Sequence, residues 1–62
     1  MLLLTYVKRD DIEAMRLREG QWIEVETSSG RKRTQFRAVS DSVLVTVDGV
    51  VQLSNVRAVF FA

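Results

Sequence analysis

The stretch that decides the fold is DSVLVTVDGVVQLSNVRAVFF, which occupies residues 41–61. It predicts a strand, a tight turn, a second strand, a one-turn connector and a last strand. The Asp48-Gly49 pair between two valine-rich runs favours a type I′ hairpin, in which both central residues need positive φ. Such a turn would place Leu44 opposite Leu53. The connector, Ser54-Asn55, is too short for an ordinary loop and predicts a single 3₁₀ turn.

Both faces of this predicted hairpin are apolar. Leu44, Val51 and Leu53 occupy one face, and four valines occupy the other. An antiparallel sheet with one face in water alternates apolar and polar residues, so both faces here must be covered. We expect a small curled barrel with a helix or a partner chain over its outside. The four valines are Val43, Val45, Val47 and Val50.

The segment before the barrel predicts a short strand and a helix. Leu2 to Val7 is an apolar run of strand length. Asp10 to Glu19 has the pattern of a helix, in which Asp10 caps the start and Glu13 reaches back to it. Gly20 then supplies a left-handed stop.

Two further strands precede the hairpin. Residues 21–27 and 31–39 alternate apolar and polar side chains around a Ser-Ser-Gly turn. In the second strand we expect Phe36 and Ala38 to point inward. The whole chain is therefore predicted to be one domain, 1–62, with a helix at about 10–19 and a barrel of about five strands at about 21–61.

The composition limits the classes of function. The chain has 62 residues, no Cys, no His and a net charge of +1. Disulfides are impossible, a zinc site would lack its preferred ligands, and we expect no cofactor. So small a domain is marginally stable alone, which favours self-association or a protein partner. The absence of Cys fits the cytoplasm, and we expect no leader peptide, no membrane association and no small-molecule substrate.

The order of elements resembles the Sm-like branch of the SH3-like small barrels. Residues 20–61 are similar to the C-terminal domain of ribosome maturation factor P, through Asp41-Ser42-Val43, Asp48-Gly49 and the Leu-x-x-Val connector that starts at Leu53. The helix and barrel together also resemble a small bacterial family that inhibits the termination factor Rho. The resemblance implies a mainly β small barrel. The Arg-Gly of the Sm uridine pocket is replaced here by Leu53-Ser54-Asn55.

The hairpin formed by residues 21–27 and 31–39 carries the basic residues of the chain that are closest together. These side chains can bind phosphates and stack on bases. Alternatively, they are solvated charges that protect an edge strand, with Arg33 and Arg37 paired to Glu24 and Glu26. These candidates are Arg31, Lys32, Arg33 and Arg37.

Trp22 and the apolar strands supply the candidates for a protein interface. An exposed Trp22 would be a recognition anchor, but we expect it at the barrel mouth, under the helix near Leu17. The last strand is apolar on both faces, so either another chain or the first predicted strand covers it. The interface candidates are Leu44, Val59 and Phe61.

No motif for catalysis is present. The acids Asp10, Asp11 and Glu13 sit at a predicted helix start, where capping explains them. The sequence therefore predicts a non-enzymatic protein-interaction module, a small regulator or inhibitor of a host macromolecular machine, of the kind that phages encode. The alternative is an RNA-binding Sm-like module that uses the Arg31-Lys32-Arg33 hairpin.

Overall fold

Residues 6–62 fold as one short helix followed by five antiparallel strands in a single open sheet. The computed structural model describes residues 6–62. The strand order is β4-β3-β2-β1-β5. The elements are α1 (Arg9–Ala14), β1 (Trp22–Thr27), β2 (Gly30–Val39), β3 (Val43–Thr46), β4 (Gly49–Gln52), a 3₁₀ turn (Leu53–Asn55) and β5 (Val56–Phe61).

These elements confirm the mainly β prediction and the one-turn connector before the last strand. The strand predicted over residues 2–7 lies mostly outside the described residues, and Tyr6 and Val7 belong to no strand.

The core lies on the inner face of the curled sheet. β1 alternates as predicted, with Ile23 and Val25 inward and Trp22 outward. The helix contributes one buried side chain, Ile12, which is 1% exposed. Each such buried side chain stabilises the fold by roughly 1.5–3 kcal/mol. The buried apolar set is Ile12, Ile23, Val25, Phe36, Leu44, Leu53 and Val56.

The helix is shorter than the sequence predicts and uses a different cap. It ends at Ala14 instead of Glu19, and Arg16 takes a left-handed φ of +53°. The backbone N–H of Lys8 donates to Asp11 Oδ2 at 3.0 Å, so Asp11 fills the role predicted for Glu13. The early end has a long-range cause, because Gly20 must reach the sheet.

Two backbone hydrogen bonds tie the segment before β1 to β2. The Gly20 N–H donates to the Phe36 carbonyl at 2.7 Å, and the Phe36 N–H donates to the Gln21 carbonyl at 2.8 Å. The chain must therefore leave the helix several residues earlier in order to align with β2. Gly20 has the predicted positive φ, +89°, but it serves this approach to the sheet instead of stopping the helix.

The β3–β4 turn closes one residue earlier than predicted. Thr46 pairs with Gly49 and Leu44 pairs with Val51, so the predicted pairing of Leu44 with Leu53 is wrong. The two central residues are Val47-Asp48, and neither has positive φ. The turn is therefore not type I′, and the positive φ, +136°, falls on Gly49 as β4 begins.

Two buried threonines explain this register. The Thr46 hydroxyl accepts the Asp48 N–H at 3.2 Å and donates to the Gly49 carbonyl at 3.0 Å. The Thr34 hydroxyl donates to Asp48 Oδ2 at 2.7 Å. These bonds satisfy polar groups that are otherwise buried, so they outweigh the local preference of the Asp-Gly pair.

A bulge in β2 overturns the predicted orientation of Ala38. Phe36 pairs with Thr46 but Ala38 pairs with Val45, so Arg37 is an extra residue on the β2 side. A bulge shifts the alternation of the strand beyond it. Ala38 is consequently exposed, and Val39 packs against the core in its place.

Candidate interaction surface

Six side chains form a continuous surface on the solvent side of β2, β1 and β5, called here the outer face. Alternation in β1 turns every second side chain outward. The register places Arg33 and Phe60 on either side of Glu24, and Arg31 opposite Glu26. The outer face consists of Trp22, Glu24, Glu26, Arg31, Arg33 and Phe60.

Two arginines stack on the two aromatic rings of the outer face. The Arg33 guanidinium lies 4.6 Å from the centre of the Trp22 ring. The Arg31 guanidinium lies 4.2 Å from the centre of the Phe60 ring, and so reaches diagonally across β1. Each contact of this kind is worth about 0.5–1 kcal/mol at an exposed site, so its main effect is to hold the ring in one orientation.

Arg31 also binds both carboxylates of the outer face. Its Nε lies 2.9 Å from Glu26 Oε1, and its NH1 lies 3.7 Å from Glu24 Oε1. Exposed ion pairs contribute about 0.2–1 kcal/mol each. Their structural effect is larger than their energy, because Arg31 is held by three neighbours at once. The outer face carries two arginines and two glutamates and is therefore neutral.

The rings of the outer face remain open to solvent. Trp22 is 45% exposed and Phe60 is 36% exposed. The expectation that Trp22 is buried under the helix near Leu17 is wrong. Ile23 turns into the core at this end of β1, so its neighbour Trp22 must point outward. Trp and Arg are both enriched among the residues that contribute most of the binding energy at protein interfaces.

The predicted basic cluster is divided between two faces. Arg31 and Arg33 lie on the outer face, whereas Lys32 pairs in register with Val25 and points to the other side. Arg37 forms an ion pair with Glu19 at 3.2 Å. Arg33 lies opposite Glu24 in the register, as predicted, but its guanidinium stacks on Trp22, and Arg31 forms the ion pairs with both β1 glutamates. The predicted pairing of Arg37 with a β1 glutamate is wrong.

The three interface candidates occupy different environments. Leu44 is 0% exposed, because its register with Val51 turns it into the core, so it is not accessible to a partner. Val59 is partly buried against the core. Phe61 is 60% exposed at the end of β5.

A second exposed apolar area lies on β3 and β4. Val47 is 50% exposed and Val50 is 63% exposed, while Val43 and Val45 beside them are half-buried. These are the four valines for which the sequence predicts a cover. The described part of the chain leaves Val47 and Val50 uncovered, and we call the four the valine patch.

A groove of about 370 Å³ opens between β4 and the β1–β2 hairpin. Its walls include Val25 and Lys32 on one side and Val50 and Val51 on the other. β4 and β1 are not neighbours in the sheet, so the groove exists because the sheet curls. Sequence reasoning missed this site, since its residues come together only through the curvature and register of the sheet.

Two other structural features bear on chemistry. Within residues 6–62, no group of three acidic side chains stands close enough to hold a metal ion. The one helix in that range is too short and too polar to cross a membrane.

Comparison of the chain with protein-family models, with curated proteins and with solved structures gave no match.

Proposed function

We propose that this chain is a non-enzymatic protein-interaction module whose contact surface is the outer face. The observation that carries the proposal is the pair of exposed rings, Trp22 and Phe60, each held by an arginine. Rigid aromatic side chains lose little conformational freedom on binding, so they give a partner a preformed anchor.

The fold that we propose is an Sm-like small barrel. The order of helix, four strands, 3₁₀ turn and last strand supports it, as does the strand order β4-β3-β2-β1-β5. A small scaffold of this kind presents one face to a larger partner. We therefore propose that the chain acts as a small regulator or inhibitor of a macromolecular machine in the cytoplasm.

The charge balance of the outer face favours a protein over a nucleic acid. Phosphate binding needs an excess of cations. Here Arg31 is held by Glu24 and Glu26, and Lys32 lies on the other side of the strand. A protein surface with an apolar pocket and mixed charges around it is the better complement.

RNA binding remains the second candidate, because exposed aromatic rings also stack on bases. Such stacking is worth about 1–3 kcal/mol per base. Trp22 and Phe60 offer two rings on one face, with Arg33 beside the first. This alternative differs from the predicted one, since it depends on the rings more than on the Arg31-Lys32-Arg33 run.

Affinity capture from the cell of origin tests the proposal. The bait is the whole chain, wild type or Trp22→Ala, and each capture is repeated after nuclease treatment. We expect a defined protein that survives nuclease and is lost with Trp22→Ala. Tyr6→Ala is the matched control, because Tyr6 is 37% exposed but lies off the outer face. Loss of all captured protein after nuclease would favour the RNA alternative.

A further inference from the structure

Within residues 6–62, β4 is an edge strand, and its outward-facing backbone groups have no hydrogen-bond partner in that range. The Leu53 N–H donates to the Ser42 carbonyl at 2.9 Å, on the β3 side. In an antiparallel ladder, hydrogen-bonding groups alternate between the two sides of a strand. The pairing of β3 with β4 has no register shift, so Val50 and Gln52 direct their N–H and C=O groups away from β3.

Apart from its short length of four residues, the edge of β4 carries none of the sequence features that normally protect an edge strand. Its sequence, Gly-Val-Val-Gln, has no charge, no proline and no bulge. Natural edges are usually blocked by such features. The opposite edge, β5, differs: it carries Arg57, and the carbonyl of Val56 already accepts the Val7 N–H at 3.1 Å. Strand addition is therefore favoured at β4.

The groove beside β4 can receive the side chains of an added strand. Its volume of about 370 Å³ falls within the range of about 300–1,000 Å³ that is usual for ligand sites. Val25 and Val51 give it apolar walls. An extended peptide along β4 would direct every second side chain into this space.

The charges around the groove indicate the chemistry of the added strand. Lys32 lines the groove and pairs with no carboxylate within residues 6–62. Asp48 also lines it, but one oxygen of its carboxylate accepts the Thr34 hydroxyl. A carboxylate on the incoming strand would complement Lys32, provided that it lies away from Asp48.

We infer that β4 binds an extended segment of another protein by strand addition, with an apolar side chain in the groove and a carboxylate on Lys32. A second copy of this chain is the weaker match, because neither of its own edge strands carries an acid: β4 is uncharged, and the one charge of β5 is Arg57. Of the residues that line the groove, only Arg31 also belongs to the outer face, and the inference does not depend on the function proposed above.

Gln52 offers a sharp test. Its φ is −70°, which proline adopts without strain, and its N–H points away from β3. Gln52→Pro therefore removes one outward donor and leaves the β3–β4 ladder intact, whereas Gln52→Ala keeps the donor. The probe is a short labelled peptide in which Val and Thr alternate around one Glu, followed by fluorescence anisotropy.

We expect wild type and Gln52→Ala to bind the peptide alike and Gln52→Pro to bind it about tenfold more weakly, because one hydrogen bond is lost and a peptide carbonyl is left unpaired. Amide spectra should show shifts at Val50 and Gln52 on titration. Equal binding by a folded Gln52→Pro would overturn the inference, and so would an absence of peptide binding by wild type.

A charge exchange tests the role of Lys32. Lys32→Glu should weaken binding of the Glu peptide about tenfold and should bind a peptide with Lys in place of Glu more tightly than wild type does. Arg57→Glu is the control, since it makes the same change of charge on β5 and should leave both affinities unchanged. Equal effects of the two variants would overturn the assignment of the carboxylate to Lys32.

The same measurements separate this site from the outer face. Trp22→Ala should bind the peptide as wild type does, so failure of the capture experiment would not affect this result. Sedimentation in the absence of peptide provides the last check. A dimer of wild type that Gln52→Pro dissociates would show that a second copy occupies the edge, and would overturn the choice of partner.

Discussion

At the scale of single residues, the β3–β4 turn depends on side chains that are distant in the sequence. The Asp48 N–H and the Gly49 carbonyl both bond to the hydroxyl of Thr46, which is 6% exposed. Thr34, 3% exposed, holds the Asp48 carboxylate from the neighbouring strand. The buried hydroxyls therefore decide the register of β3 with β4. The Asp-Gly pair alone would favour a turn that closes one residue later.

Removing the Thr46 hydroxyl should destabilise the fold. Thr46→Val keeps the shape of the side chain but removes the hydroxyl that bonds to the Asp48 N–H and to the Gly49 carbonyl. We expect a loss of about 0.5–1.5 kcal/mol in the free energy of unfolding for each hydrogen bond removed, which is the usual net contribution of such a bond. Chemical denaturation measures it. Thr46→Ser, which keeps the hydroxyl, should lose less, and the reverse order would contradict the assigned role.

Gly49 is a second sensitive position, for a reason of backbone geometry. Its φ is +136°, and a Cβ atom there would meet no atom within 4 Å, so the main cost of a substitution is backbone strain and not a clash of the Cβ. Gly49→Val should cost about 1–3 kcal/mol. For a domain of this size, that lowers Tm by several degrees or more, at about 4–8 °C per kcal/mol.

Thermal unfolding followed by circular dichroism measures the effect at Gly49. Gln52→Ala is the matched control, because Gln52 is exposed and its backbone lies in the same strand. It should change Tm much less than Gly49→Val. A Gly49→Val variant that melts as wild type does would mean that position 49 does not need positive φ.

At the scale of elements, the sequence predicts which elements exist better than where they end. Alternation identified β1 and β2, the valine-rich runs identified β3 and β4, and the short Ser-Asn connector identified the 3₁₀ turn. These signals are local, since they depend on periodicity within one segment. The predicted end of the helix is wrong because its cause is not local. The backbone of Gly20 bonds to that of Phe36, which lies sixteen positions further along the chain.

The sequence did not predict the bulge at Arg37, and it predicted the outer face only in part, for related reasons. Nothing in the residues around Arg37 distinguishes a bulge from regular alternation, so Ala38 was predicted inward and is exposed. The glutamates and Trp22 were correctly placed on one side of β1. Their contacts were not predictable, because only the register of β1 with β2 and β5 brings Arg31 to Phe60.

Arg31 connects three strands, and a double-mutant cycle can measure that connection. Its guanidinium contacts Glu26 on β1 and Phe60 on β5. We expect Arg31→Ala and Phe60→Ala to be non-additive in the free energy of unfolding, with a coupling of about 0.5–1 kcal/mol. Arg31→Ala combined with Phe61→Ala is the control pair, and the effects of these two substitutions on the free energy of unfolding should be additive. Additivity of both pairs would show that the stacked contact has no energetic effect.

At the scale of the whole molecule, the small core gives little stability, while large apolar side chains stay exposed to water. A domain of this length buries only about 60% of its unfolded surface, so its stability is marginal. Within residues 6–62, seven apolar side chains form the buried core. Among residues 6–62, large hydrophobic side chains also stay exposed on both halves of the sheet, including Val50 at 63% and Phe61 at 60%. Association that covers them would stabilise the fold.

We therefore expect the chain to self-associate at micromolar concentration through the valine patch. Light scattering during chromatography measures the molar mass at several loadings. Val50→Thr keeps the preference for β structure but adds a hydroxyl to the exposed patch, so it should shift the chain towards monomer.

Gln52→Pro is the control, since it changes only the edge of β4 and should leave the molar mass unchanged. The contact would then lie between side chains of the valine patch and not along the backbone edge of β4. A wild-type peak near the monomer mass of 7.1 kDa at every loading would contradict the prediction.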